Sequence, residues 1–265
     1  MSVGSTAADD APAAPAARSL SSGTRVLSVG IASTGVFTFA YLATASHVLT
    51  PRDYSRISLC WAVMFVILSV IYRPIEQLLS RTIADRRARG LTDHPLRVAA
   101  TLQVGFAAAF LIAVLAARHA VQQDMFDGSA TLYWVLVVGV LAYAGSYFAR
   151  GWLAGHQAFA LYGALVFLES TSRFCCALAV AIGIASGIGV VALGMVIAPF
   201  ASLAVMPFAL SWVRARVAAS GHPPATDAPA PAAVDPALTL RRGGTFAASV
   251  VGIMISEQAL MNAGV

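Results

Sequence analysis

The sequence predicts an all-α membrane protein: a six-helix transmembrane bundle plus the start of a seventh helix. Three observations predict it. Of the 265 residues, 58% are hydrophobic and only 11% charged, whereas a soluble domain carries about a quarter of its residues as charged types. The apolar residues gather into runs of about 20, the length that crosses a bilayer as a helix. The connections between runs alternate between arginine-rich and arginine-poor, as in a chain that crosses a membrane back and forth. A bilayer can solvate this much apolar surface on the outer helix faces, and water cannot.

The expected spans are 26–48, 57–79, 98–117, 131–149, 161–184 and 188–213, with a seventh helix beginning at 245 and running to 265. Residues 1–23 are rich in Ala, Ser and Pro, which favours a disordered tail. They lack the basic-then-apolar pattern and cleavage site of a signal peptide. Residues 214–244 hold Pro223, Pro224, Pro229, Pro231 and Pro236 among many alanines, the composition of a linker. The expected domains are thus a tail (1–23), a six-helix bundle (24–213), a linker (214–244) and the start of a second bundle (245–265).

Every basic residue is arginine, and the net charge is +5. One set of connections holds Arg18, Arg25, Arg81, Arg86, Arg87, Arg89, Arg97, Arg150, Arg214, Arg216, Arg241 and Arg242; the other holds Arg52, Arg56 and Arg118. Twelve against three, read by the positive-inside rule, places the amino terminus and the linker in the cytoplasm. The expected location is the cell membrane. Tyr133 and Trp134 at one end of the fourth span, and Tyr147 and Phe148 at the other, are candidate interface anchors.

Several classes are not expected. The arginines are scattered between apolar segments rather than lining a basic groove with aromatics, so nucleic acid is not an expected partner. Cys60, Cys175 and Cys176 have neither metal-ligand nor disulfide-framework spacing. His47, His94, His119, His156 and His222 share no helical face; no metal or cofactor is expected, although His156 is a candidate for substrate contact. Phosphate loops, HExxH and nucleophile elbows are missing. A membrane enzyme would have only Asp124 and Asp127 as a plausible catalytic pair, so no enzyme is expected.

The informative residues are ionisable groups at bilayer depth, each costing about 2.5–3.5 kcal/mol to insert. Arg73 and Glu76, three apart, share a face with Ser69 and Ser80. Pro74 between them removes a backbone donor and predicts a kink. Arg73 either lines a cavity or snorkels to the cytoplasmic end, about 10 Å away. Glu169 and Arg173, four apart, lie near the middle of the fifth span in a polar turn, Glu169-Ser170-Thr171-Ser172-Arg173. They either line a substrate cavity or neutralise each other and glue helices together. Glu257, beside Ser256, Gln258 and Asn262, makes the seventh helix too polar for a lipid face. Thr34, Thr38 and Tyr41 form a hydroxyl stripe best suited to packing. Gly194, Ala198 and Ser202 form a small-residue stripe that favours close helix contact. Pro199 and Pro207 are expected to bend the sixth span.

Three stretches carry a family resemblance. They are Arg73-Pro74-Ile75-Glu76-Gln77 running to Ser80-Arg81; Arg150-Gly151-Trp152-Leu153-Ala154-Gly155-His156 followed by Phe159 and Tyr162; and Glu169 with Arg173. With six spans, a cytoplasmic linker and a polar seventh helix, the chain resembles the amino-terminal half of the multidrug/oligosaccharidyl-lipid/polysaccharide exporter superfamily. Within it, the chain looks most like the O-antigen-type polysaccharide flippases. The resemblance covers residues 24–265.

The resemblance implies one half of a two-bundle transporter that turns a polyprenyl-diphosphate-linked oligosaccharide across the cytoplasmic membrane by alternating access, for surface polysaccharide biosynthesis. Arg25, Arg73 and Arg173 would bind phosphate oxygens bidentately. Glu76 and Glu169 would hold the guanidinium groups, and Glu257 would be the protonation site for ion coupling. The expected partners are the lipid-linked substrate, the bilayer, and a second bundle or polysaccharide-assembly proteins. A cation-coupled multidrug antiporter of the same superfamily is the alternative. Because such a fold needs two bundles, this sequence is expected to be a partial product.

Overall fold

The computed structural model describes residues 15–91 and 96–219, with side chains over 28–91 and 96–215. Among them the chain is helical throughout, without strands. In order it forms α1 (Pro15–Val48), α2 (Pro51–Ile71), α3 (Arg73–Ala88), α4 (Arg97–Ala116), a π-helical turn (Ala120–Met125), α5 (Ala130–Gly155), α6 (Phe159–Ala181), α7 (Ile188–Leu203) and α8 (Met206–Ala219). Six stretches are long and apolar enough to span a membrane: Ser28–Val48, Pro51–Ala88, Arg97–Ala116, Ala130–Gly155, Phe159–Ala181 and Ile188–Ala215. The protein is an all-α, multi-pass membrane bundle.

Prolines shape the second and sixth spans. Pro74 has no N–H for the Val70 carbonyl, and the helix breaks at Tyr72 (φ −99°, ψ −27°) before restarting as α3. The sixth span breaks between α7 and α8, just ahead of Pro207, while Pro199 sits inside α7 without ending it. Pro51–Ala88 is 38 residues long, about 57 Å at 1.5 Å per residue. That exceeds a hydrocarbon core of about 30 Å. The last turns of α3, with Arg81, Asp85, Arg86 and Arg87, therefore continue past the apolar layer as helix, stiffened by an Arg89–Asp85 ion pair of 2.8 Å.

Several expected boundaries are corrected. Residues 15–23, assigned to a disordered tail, are helical, because Pro15 at the first position and the following alanines favour a helix start. Residues 214–219 of the expected linker extend α8. The rest of the linker and the seventh helix lie outside the described residues. α5 runs on to Gly155 rather than stopping at 149, since Gly-Trp-Leu-Ala-Gly stays apolar after Arg150. Two expected interface anchors turn inward: Tyr133 is buried and donates to the Val114 carbonyl at 3.1 Å, and Tyr147 is also buried. Trp134 does remain exposed.

α5 is the central helix, packed on α2, α3, α4, α6 and α7, with α1 laid against α6. Small residues set the closest approaches. A Cβ on Gly30 of α1 would lie 2.7 Å from the Gly163 Cα of α6. One on Gly151 would lie 2.8 Å from the Glu76 carbonyl oxygen, and one on Gly155 would lie 2.6 Å from Ile83 Cβ. Gly151 and Gly155 are one turn apart, so α3 rides along a groove in α5. Gly194 of α7 meets the Arg173 carbonyl of α6 in the same way, at 2.9 Å.

At the arginine-poor end, Asp127 accepts hydrogen bonds from Arg52 (3.2 Å) and Arg56 (2.8 Å), tying the start of α2 to the turn before α5. The two guanidinium groups hold its carboxyl below the usual carboxylate range.

Gly155→Ala should destabilise the bundle by about 1–3 kcal/mol through overpacking against α3. Gly105→Ala, with nothing within 4 Å of the new Cβ, should be neutral or slightly stabilising. Thermal unfolding in detergent separates the two; equal melting temperatures would contradict the groove.

Candidate functional site: a charged seam through the bundle

The site is built on three helical faces. Tyr143, Ser146, Tyr147 and Arg150 fall at i, i+3, i+4 and i+7 of α5, forming one stripe. Tyr162, Glu169 and Arg173 share a face of α6. Glu76 comes from α3, one turn after the Tyr72 break. Because α5 is central, its polar stripe brings these faces together in the interior.

Arg150 Nη2 donates to Glu169 Oε2 at 2.6 Å, with the two side chains only 11% and 6% exposed. Ser146 Oγ donates to the same carboxylate oxygen at 2.9 Å. Ser202 Oγ of α7 lies 3.3 Å from Ser146 Oγ. The Arg150 guanidinium also covers the Tyr147 ring, 4.6 Å from its centroid. Tyr162 O–H donates to Glu76 Oε1 at 2.7 Å, and Glu76 lies within electrostatic reach of Arg150. One network therefore connects α3, α5, α6 and α7 towards the arginine-rich end.

Arg173 stands apart from it. The residue is 1% exposed and about 21 Å along α6, a helix of 23 residues or roughly 35 Å. Its guanidinium carbon lies 4.0 Å from the Trp61 ring centroid. Among the described residues, Nε and Nη1 have no hydrogen-bond partner. Tyr41 and Tyr143 are within electrostatic reach, but Tyr41 O–H is spent on the Val191 carbonyl at 3.0 Å, and Tyr143 O–H is itself unpartnered. A desolvated cation–π contact contributes about 2 kcal/mol, less than the cost of placing a guanidinium at this depth. The arrangement presents two nitrogens, Nε and Nη1, with no partner among the described residues, and a positive charge inside the bundle, which suits an anion.

The structure thus corrects the expected Glu169–Arg173 pair. Both residues are buried, but Glu169 is taken by Arg150 from another helix, which leaves Arg173 without a carboxylate among the described residues. The serines of the polar turn mostly serve their own helix: Ser170 donates to the Val166 and Phe167 carbonyls and Ser172 to that of Glu169. Arg73 lies within electrostatic reach of Glu76, but the two differ in burial. Glu76 joins the network, whereas Arg73 is exposed, which fits snorkelling rather than a seat in the seam. Arg25 is in α1 but its side chain is outside the described residues, as is Glu257 altogether. The hydroxyl stripe of α1 packs: Thr34 donates to the Gly30 carbonyl and Tyr41 reaches α7. His156 is buried on Trp152, with ring centroids 4.3 Å apart, and its Nδ1 is 2.9 Å from the Trp152 carbonyl. Burial pushes its pKa down, favouring the neutral ring.

Sequence reasoning missed Arg150, by ending the fourth span six residues too early, and Trp61, which reads as an ordinary apolar residue. The stripe of Tyr143, Ser146, Tyr147 and Arg150 was the available signal.

Glu169→Gln should cost about 3 kcal/mol, because it strands the Arg150 guanidinium in the interior. Ser146→Ala should cost about 1 kcal/mol. Both are read by thermal unfolding of the purified protein; a smaller loss for Glu169→Gln than for Ser146→Ala would contradict the pairing.

Set against known proteins, the chain matches no protein-family model, no curated protein and no solved structure, so the reading of the site rests on its geometry.

Proposed function

We propose that this chain forms a bundle of a transporter that turns a polyprenyl-diphosphate-linked oligosaccharide across the cytoplasmic membrane for surface polysaccharide biosynthesis. The carrying observation is Arg173: a fully buried guanidinium, backed by Trp61, with Nε and Nη1 unpartnered among the described residues. A diphosphate and its sugars need a polar, cationic route, while a polyprenyl tail can stay in lipid. A guanidinium binds phosphate oxygens through its planar fork.

The antiporter alternative is less well supported. A cationic substrate needs a carboxylate that no protein cation has claimed. Of the acids described within the seam, buried Glu169 is bonded to Arg150 and Ser146, and half-buried Glu76 to Tyr162 beside the same arginine. The excess of arginine at one end favours an amino terminus in the cytoplasm, which puts the four-helix network on the cytoplasmic side of Arg173. In this proposal a second bundle, or an assembly partner, supplies the facing wall of the route.

In proteoliposomes carrying a fluorescent lipid-linked oligosaccharide, Arg173→Ala should slow transport about tenfold or more, the loss expected for charge-assisted hydrogen bonds. Arg173→Lys should recover part of it, since the charge remains and the fork does not. Undiminished transport by a correctly inserted Arg173→Ala protein would overturn the assignment.

A further inference from the structure

We propose that Glu169 is a positioning residue that exchanges between two arginines, so that Arg173 is free for an anion only while Glu169 is held by Arg150. The inference rests on the reading of Arg173 as an anion site.

Three observations carry it. Glu169 is bonded to Arg150 on α5, yet it sits four residues before Arg173 on α6, the spacing at which a carboxylate and a guanidinium meet along a helix. Among the described residues, Arg173 has two buried nitrogens, Nε and Nη1, without partners, and Arg150 keeps its own Nε unpartnered. Tyr143 lies within electrostatic reach of Arg173, Glu169 and Arg150 together, with its buried O–H unpartnered. The carboxylate therefore has a second guanidinium one turn away and an uncommitted hydroxyl near both. The other carboxylate of the seam, half-buried Glu76, is held by Tyr162.

The consequence is competition. With Glu169 on Arg150, the α5–α6 contact is closed and Arg173 is open to an anionic group. When Arg150 lets go of Glu169, the carboxylate can turn to Arg173, which closes the deep site, frees Ser146 and loosens the four-helix network. Occupancy of the deep site and closure of the network are then linked by one carboxylate.

Single and double variants separate the two arms of this competition. Trp61 reports on Arg173, so binding of inorganic diphosphate can be followed by fluorescence of the full chain with Trp134, Trp152 and Trp212 replaced by Phe. Glu169→Gln alone, with Arg150 already holding the carboxylate away from Arg173, should leave binding little changed. Arg150→Ala releases Glu169 onto Arg173 and should weaken binding about tenfold, within the usual range of coupling between sites; Arg150→Gln, which keeps more of the side chain, should do the same, and adding Glu169→Gln to either should restore binding. A merely structural ion pair predicts no recovery in the double variants, and that result overturns the exchange. A second measurement needs no anion. In an Arg150→Gln background, melting shifts of Glu169→Gln and Arg173→Ala should be non-additive; additive shifts would overturn the proposal. If diphosphate binds to no variant while that non-additivity is present, the anion site falls and the exchange stands.

Discussion

A guanidinium cannot be left in an apolar bundle without consequences, and the bond from Arg150 to Glu169 decides how this bundle is arranged. It joins the central helix to α6 at a point where both side chains are nearly excluded from the surface. Ser146 and Ser202 extend it to α7, and Glu76 with Tyr162 brings in α3. The approach of α3 and α5 that this needs is permitted by Gly151 and Gly155, which offer no side chain where Glu76 and Ile83 pass. Electrostatics and small-residue packing thus act on the same stretch of α5. The loop-like Arg-Gly-Trp-Leu-Ala-Gly is a helix turn with a charge on one side and a groove beside it.

The consequence is an imbalance further along α6. Because Arg150 takes Glu169, Arg173 is left, among the described residues, with an aromatic ring and two idle nitrogens. Within the proposed function, that imbalance is the useful property. A fully neutralised seam would have nothing to offer a phosphate, and an unneutralised one would be hard to keep in the membrane.

The fold class and six spans were legible because bilayer thickness and hydropathy act on long segments, where local errors average out. The same arithmetic flagged Glu76, Glu169 and Arg173 as residues out of place in lipid, and all three are in the interior of the bundle or at its edge. What the sequence could not supply was the pairing. The i,i+4 rule describes neighbours along one helix, whereas Glu169 is satisfied by a residue of another helix, placed there by the course of α5. Missing the last turn of α5 moved Arg150 into a connection and hid its role. Arg73 looked equivalent to Arg173 by composition, but the Tyr72 break and the turn of α3 leave it exposed. Tyr133 and Tyr147 looked like interface anchors because position along a span says nothing about which face of the helix is buried.

The most direct measurement is a pair of double-mutant cycles on thermal stability, Glu169→Gln with Arg150→Gln and Glu169→Gln with Arg173→Ala. With every other residue as in this sequence, the account predicts coupling of about 1 kcal/mol or more between Glu169 and Arg150. It predicts near-additivity between Glu169 and Arg173. Strong coupling within α6 and additivity between the helices would contradict it.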